Sequence, residues 1–373
     1  MPRLIVCLAV ALLLAACGQP GASRPTPPPL VTPATSVVPA GATPAAGTRR
    51  IVVMTHDSFS VSEEVLAGFT ARSGISVEFL KAGDAGTTLN QAILSKNAPL
   101  ADVLFGVDNT FLSRALAADI LTPYASPVLA NLPDDLKLDP ENRLLPVDFG
   151  YVVINYDKAA LAAAGLTPPT DLRDLTLPAW KGKLVVQHPA TSSPGLAFLL
   201  ATISHFGETG PYTWREFWRD LRANEVLVTQ GWSEAYYTHF SGSSGAGAYP
   251  LVVSYTTSPA AEVFFSEGRL SEPPTGNLLV PGGSFRQIEF VGILRGARDE
   301  AAAREFVDFM LQPEFQADIP LQMFVYPANP RAPLPDVFLR FAELPPEPAD
   351  LAPDLIEQRR DQWIAEWTEI VLR

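Results

Sequence analysis

From residue 51 onward, short apolar runs with strand rhythm alternate with stretches of helical period. Ile51 to Met54 predicts a strand, followed by the polar turn Thr55-His56-Asp57-Ser58. Ser60-Val61-Ser62-Glu63 has capping-box spacing and opens a helix reaching about Arg72, with Gly74 just beyond to end it. Ile75 to Leu80 alternates as a second strand. Gly83-Asp84-Ala85-Gly86 is then a tight turn ahead of a helix from about Thr88 to Leu94. Asp102 to Val107 predicts a third strand, and a helix begins at Asp108-Asn109-Thr110. Strand and helix in alternation predict an α/β fold on a largely parallel sheet. In such sheets ligands sit beyond the carboxyl ends of the strands, where the turns at His56, Asp84 and Asp108 fall.

Leu145 to Tyr156 is a long apolar segment without helical period and reads as a strand passing between two lobes. Leu172 to Trp180 opens the second lobe. Tyr212 to Leu221 is an amphipathic helix, and Val226 to Thr229 a strand before Gly231-Trp232-Ser233-Glu234-Ala235-Tyr236, which begins another helix. Ser241 to Gly247 reads as a flexible Gly/Ser turn, Phe290 to Leu294 as a strand, and Glu300 to Met310 as a helix returning to the first lobe. In the last helix, about Asp354 to Leu372, Trp363 and Trp367 lie four apart with Ile364, Ile370 and Val371, a core-facing stripe.

One pattern occurs twice. Leu251-Val252-Val253 is a buried strand; Ser254 to Ser258 then present four hydroxyls and one aromatic ring, and Ser258-Pro259 is a helix start, a capping oxygen followed by a proline that needs no N–H at the first helical position. Leu184-Val185-Val186, the turn Pro189-Ala190-Thr191-Ser192-Ser193 and the helix from Pro194 through Leu200 repeat the design. Two hydroxyl-rich turns with free helix N–H groups could face one small polar or anionic group, although ordinary strand–helix turns look the same.

Composition adds an address and removes some chemistry. Arg3 followed by the apolar run Leu4 to Ala16 is an export signal too short to span a bilayer. Its end, Leu14-Ala15-Ala16-Cys17, resembles the lipobox of bacterial lipoproteins, in which the cysteine is acylated. Residues 1–17 are therefore expected to be a lipoprotein signal peptide and 18–50 a disordered Pro/Ala/Thr-rich tether. Cys7 and Cys17 are the only cysteines, so no disulfide is available. The formal net charge of −13 disfavours nucleic acid and anionic membrane surfaces and suits a cationic ligand. His56, His188, His205 and His239 lack metal-ligand spacing, and no P-loop is present. Gly231-Trp232-Ser233-Glu234-Ala235 approaches a nucleophile elbow, but Ala235 stands where glycine should close it. A serine hydrolase therefore stays only as an alternative.

Six segments carry a family resemblance: Thr55-His56-Asp57-Ser58-Phe59, Val107-Asp108-Asn109, Asp148-Phe149-Gly150-Tyr151, Thr191-Ser192-Ser193-Pro194-Gly195, Gly231 to Tyr236 and Ser254 to Pro259. In this order, from about Ile51 to Arg373, they resemble the thiamine-binding substrate-binding proteins of bacterial ABC transporters. Gln358-Arg359-Arg360 with Trp363 and Trp367 resembles that family too. The resemblance implies a two-lobe periplasmic-binding-protein-like fold of type II with a ligand cleft between the lobes. Lobe 1 would comprise 51–147 plus about 285–330, and lobe 2 148–284 plus about 331–373.

By motif, the resemblance implies that Asp84 accepts from the aminopyrimidine with Ala85 beside it, and that Ser192 and Ser193 hold the phosphate or hydroxyethyl end. Trp232 and Tyr255 would stack on the cationic ring, with Thr256, Thr257, Ser258 and Pro259 completing a polar wall. His56 stands where the family can carry tyrosine and Phe324 where a tryptophan can occur, which adds both to the candidates. The implied protein is no enzyme and needs no cofactor or metal. It is a monomer, lipid-anchored outside the cytoplasm, that passes thiamine or its phosphates to a membrane permease. The same fold binding a polyamine or ferric iron is the alternative. Plainer readings also stand beside the named residues: Trp232 and Tyr255 as core aromatics, Asp84 as a turn residue.

Overall fold

The computed structural model describes residues 49–244 and 247–373. The expected signal peptide, Cys17 and nearly all of the expected tether lie outside the described residues. Among the described residues eleven strands form one sheet: β1 (Arg49–Thr55), β2 (Ile75–Lys81), β3 (Val103–Asp108), β4 (Leu121–Thr122), β5 (Leu145–Asp157), β6 (Leu184–Gln187), β7 (Leu227–Thr229), β8 (Leu251–Tyr255), β9 (Thr275–Leu278), β10 (Phe285–Leu294) and β11 (Tyr326–Pro327). Their order is β2-β1-β3-β10-β5-β8-β6-β7, with β4 on β10 and with β9 and β11 on β5.

The sheet has two parallel halves joined by an antiparallel centre. β1 runs parallel to β2 and β3, and β6 runs parallel to β7 and β8. β10 lies antiparallel to both β3 and β5, and β5 antiparallel to β8. The expectation of a largely parallel sheet is thus corrected at its middle. β5 and β10 are the long strands that carry the chain between halves, and they run in opposite senses.

Local chemistry sets the element ends. Gly74, left-handed at φ 69°, ends the helix Glu63–Ser73, and its N-cap is Ser62 rather than Ser60, whose hydroxyl is drawn off to Gln322. The helix expected from Thr88 starts at Ala85, because Asp84 caps it. The Thr213–Glu216 capping box opens the helix Trp214–Ala223. The Gly/Ser segment expected as a flexible turn includes a helical turn, Ser241–Ser244.

Three helices, Ser193–Phe206, Trp214–Ala223 and Pro353–Leu372, pack into the core of the second half. Ser193–Phe206 buries every residue from Ser193 to Ile203. The final helix, Pro353–Leu372, turns Trp363 and Trp367 inward as their spacing predicts, and both are fully buried. Trp367 meets Trp218 edge-to-face at 5.4 Å. Burying rings of this size is worth about 2–3 kcal/mol each.

Candidate functional site

The carboxyl ends of the two parallel halves face each other. β1, β2 and β3 deliver His56, Asp84 and Asp108 from one side; β6, β7 and β8 deliver Ser192, Trp232 and Tyr255 from the other. Contacts across the seam are direct. Asp84 Oδ1 accepts from the backbone N–H of Ala85 at 2.7 Å, and its Oδ2 accepts from that of Trp232 at 2.9 Å. Gly86 N–H donates to the Thr191 carbonyl at 3.0 Å, and the Ser193 hydroxyl donates to Asp108. Ser192 Oγ is buried with no close hydrogen-bond partner, yet it lies near enough to Asp84 to favour the ionised carboxyl.

On the second half, Trp232 and Tyr255 make an aromatic corner. Trp232 stacks on Tyr236 at 4.8 Å with 18° between planes, and its Nε1 donates to Ser254 Oγ at 2.8 Å. Tyr255 stands 6.4 Å from Trp232 at 61°. It lies against Gly150, where an added Cβ would come to 3.0 Å from the ring and crowd it. The Tyr255 hydroxyl donates to Gln287 Oε1 at 3.0 Å, which ties the corner to β10.

Near Tyr255 lies a row of carboxylates. Register pairs Glu289 of β10 with Asp108 of β3 on one side and with Asp148 of β5 on the other. All three are buried, at 6 %, 0 % and 1 % exposure respectively. His56 faces the row with Nε2 3.3 Å from Glu289 Oε1, while its Nδ1 meets the Ser58 hydroxyl at 2.9 Å. The imidazole sits on Gly106. With φ at +93°, and only 2.4 Å between the ring and the place a Cβ would take, that position admits only glycine.

The electrostatics follow from burial. Burial, reinforced by Glu289, raises the Asp108 carboxyl to about 7 against the opposing pull of hydrogen bonds from Thr110. Burial and Glu289 together push Asp148 well above the usual carboxylate range. Burial also raises Asp84, opposed by the N–H groups of Trp232 and Ala85. For His56 burial disfavours the imidazolium, but Glu289 and the other carboxylates outweigh it and the net shift is upward. Tyr255 is raised by burial and by the same carboxylates.

The remaining candidates are placed differently. Ser258 begins the helix Ser258–Phe265, but its hydroxyl turns back to Ser254 Oγ at 2.9 Å and accepts from Tyr255 N–H at 3.3 Å instead of capping. Pro259 is buried in that helix's first turn, as expected of a proline there. Thr256 and Thr257 are fully buried, with Thr256 N–H donating to Tyr151 and the Thr257 hydroxyl to the Phe324 carbonyl. Phe324 packs with Phe264, Phe265 and Phe338, at ring separations of 5.8, 5.0 and 6.0 Å. No contact joins it to Trp232 or Tyr255 among the described residues. Sequence reasoning missed Asp148, Gln287 and Glu289. A carboxylate inside the apolar run 145–156, and the polar-apolar alternation from Arg286 to Phe290, were the available signals.

The family model for bacterial extracellular solute-binding proteins matches residues 98–364. This chain belongs to the bacterial extracellular solute-binding proteins. The "Thiamine-binding periplasmic protein" of Salmonella typhimurium is 31% identical over 340 residues, covering 89% of this chain and 96% of that protein. Its namesake from Brucella melitensis is 30% identical over 336 residues, 88% of this chain and 94% of that one. A solved "Periplasmic thiamin binding protein" superposes with a TM-score of 0.76 at 28% identity, over 89% of this chain and 100% of that chain. Like its structural neighbours, this family member has the two-lobe periplasmic-binding-protein architecture, and members of the family act outside the cytoplasm.

Proposed function

We propose that this chain binds thiamine or its phosphates in the cleft between the two halves and delivers the ligand to the permease of an ABC importer. One observation carries the reading: Tyr255 of the Trp232–Tyr255 corner lies near the buried carboxylates Asp108 and Glu289, and Asp148 beside Glu289 has no N–H or hydroxyl on either oxygen. Thiamine is a permanent cation with a flat ring, and an aromatic face attracts such a ring by about 0.5–2 kcal/mol. Asp84, already fixed by two backbone N–H groups, keeps lone pairs for the aminopyrimidine amine. Ser192 and Ser193, at the start of the helix Ser193–Phe206, are the partners for a phosphate or hydroxyethyl end. Relatives carrying the thiamine name over nearly the whole chain support this choice over a polyamine or ferric iron.

The lobe assignment goes with this reading: 51–147 with about 285–330 for one lobe and 148–284 with about 331–373 for the other. The chain performs no chemistry on its ligand and works as a monomer. Isothermal calorimetry with thiamine, its monophosphate, its diphosphate and spermidine tests the function. Tight binding of at least one thiamine form and none of spermidine is expected; spermidine alone giving heat would move the assignment to polyamines.

The anchor is a separate proposal. Cys17, at the end of the lipobox-like run, carries the lipid that holds the protein to the membrane. Cys17→Ser should release the protein from the membrane fraction; a variant as membrane-bound as the parent would remove the lipid anchor from the picture.

A further inference from the structure

Within the row Asp108–Glu289–Asp148, Asp108 has donors on both oxygens, but Asp148 has none on either. Like charges directly opposite one another on neighbouring strands repel, and fully buried ones repel more. Asp108 Oδ1 accepts from Thr110 N–H at 2.6 Å, and its Oδ2 receives the Ser193 hydroxyl from across the seam. Asp148 lies against Glu289 closely enough for the two carboxyls to share a proton, and no N–H or hydroxyl reaches either of its oxygens. A second group points the same way. His56 is buried, its Nε2 turned to Glu289 without a hydrogen bond of ordinary geometry.

Given the thiamine reading above, on which this inference rests, we propose that the row is the specificity determinant for a positively charged ring: it supplies the counter-charge that a quaternary nitrogen meets and a neutral ring of the same shape does not. The aromatic corner alone would accept either ring, because stacking and burial reward shape more than charge. The row would not, because a neutral ring brings it no counter-charge beyond those of His56 and, near Asp108, Arg360.

Every titratable group around the row bears on the test. From the end of β1 come His56 and Asp57; from the start of the helix Ala85–Leu94 comes Asp84; from β8 comes Tyr255. From the last helix, Arg360 feels Asp108 while its Nη2 is held by Asp361 at 2.5 Å and its guanidinium sits 5.5 Å over Phe111. With Asp108 raised to about 7 and Asp148 also raised by burial and Glu289, the row carries protons at mildly acidic pH, and His56 gains its own charge in the same direction. Entry of a cation releases protons to solvent, so preference for the charged ring grows with pH.

The experiment compares thiamine with its thiophene isostere, in which carbon replaces the quaternary ring nitrogen, by calorimetry at about pH 5.5 and about pH 8. At the higher pH thiamine should bind about tenfold or more tightly than the isostere, the scale of a hydrogen bond or contact to a charged group. The gap should narrow at the lower pH. Glu289→Gln should close most of it at the higher pH by weakening thiamine alone, and Asp148→Asn should act likewise. A preference unmoved by pH in the parent, or by Glu289→Gln in a variant with the parental melting temperature, overturns the proposal. Should Glu289→Gln not fold, the pH series on the parent decides. Equal binding of the two compounds overturns this inference and leaves the thiamine reading standing; failure of both to bind overturns the two together.

Discussion

The two ends of β3 carry buried aspartates with opposite fates. Just before the strand, Asp102 is fully buried and fully met: its Oδ2 accepts from Val52 N–H at 2.7 Å and from Arg298 Nη2 at 3.1 Å, and its Oδ1 from Arg298 N–H at 2.7 Å. At the strand's far end Asp108 is equally buried but sits beside Glu289, with Asp148 beyond. Asp139 repeats the first pattern: burial would raise it, but the guanidinium and N–H of Arg143 hold it below the ordinary range. The fold can therefore neutralise a buried carboxylate where it needs one for structure. Where it sets Asp108, Glu289 and Asp148 side by side with no arginine bonded to them among the described residues, the acidity fits the counter-charge role proposed above.

The largest test breaks the structural member of this comparison. Asp102→Ala leaves the N–H groups of Val52 and Arg298 without their acceptor, and should cost about 3 kcal/mol of stability, read as a lower urea midpoint at unchanged slope. An unchanged midpoint would mean that the two ends of β3 do not differ in kind.

Asp148→Asn should have the opposite sign. Burial and Glu289 raise the Asp148 carboxyl in the folded chain above its unfolded value, so the folded state holds that proton more tightly. Stability from this group is present at low pH and is lost as pH rises past the unfolded carboxylate range. Removing the ionisation should add about 1–2 kcal/mol at pH near 8, fading toward pH near 4, as read from urea midpoints along a pH series. A loss of stability at both ends of the series would make Asp148 a structural carboxylate like Asp102.

The smallest effect belongs to the rim. Ser192→Ala removes a buried hydroxyl whose one neighbouring acceptor is Asp84, so stability should change by less than about 1 kcal/mol, while thiamine phosphates should weaken by about 1 kcal/mol relative to free thiamine. Equal losses for all forms would place the phosphate elsewhere in the cleft.

Most elements were legible in the residues. The alternation of apolar strands with capped helices placed the carboxyl-end turns at His56, Asp84 and Asp108, and the four-residue spacing of Trp363 and Trp367 pointed into the core. Strand direction was not legible, since an apolar run such as Leu145–Tyr156 reads alike whether its neighbour runs with it or against it. The carboxylate row was hidden for the same reason. Asp108, Asp148 and Glu289 are far apart in sequence, and only the register of β10 against β3 and β5 sets them side by side. The Ser258 hydroxyl looked like a cap because it precedes Pro259, and Thr257 looked like a ligand because of the family motif; here each has a partner within the protein instead.

The placing of β10 between β3 and β5 also fixes an order of events during synthesis and export. The sheet's middle strand is contributed by residues 285–294, after both of its neighbours have already emerged. Until then β3 and β5 present open backbone edges to any other extended chain. A ribosome or a translocation channel feeding this protein from its N-terminus therefore delivers more than two thirds of it as two unfinished sheets, and the long-range pairing that joins them is slow by its nature. The interval before Phe285 arrives is when the molecule most needs protection from its own copies.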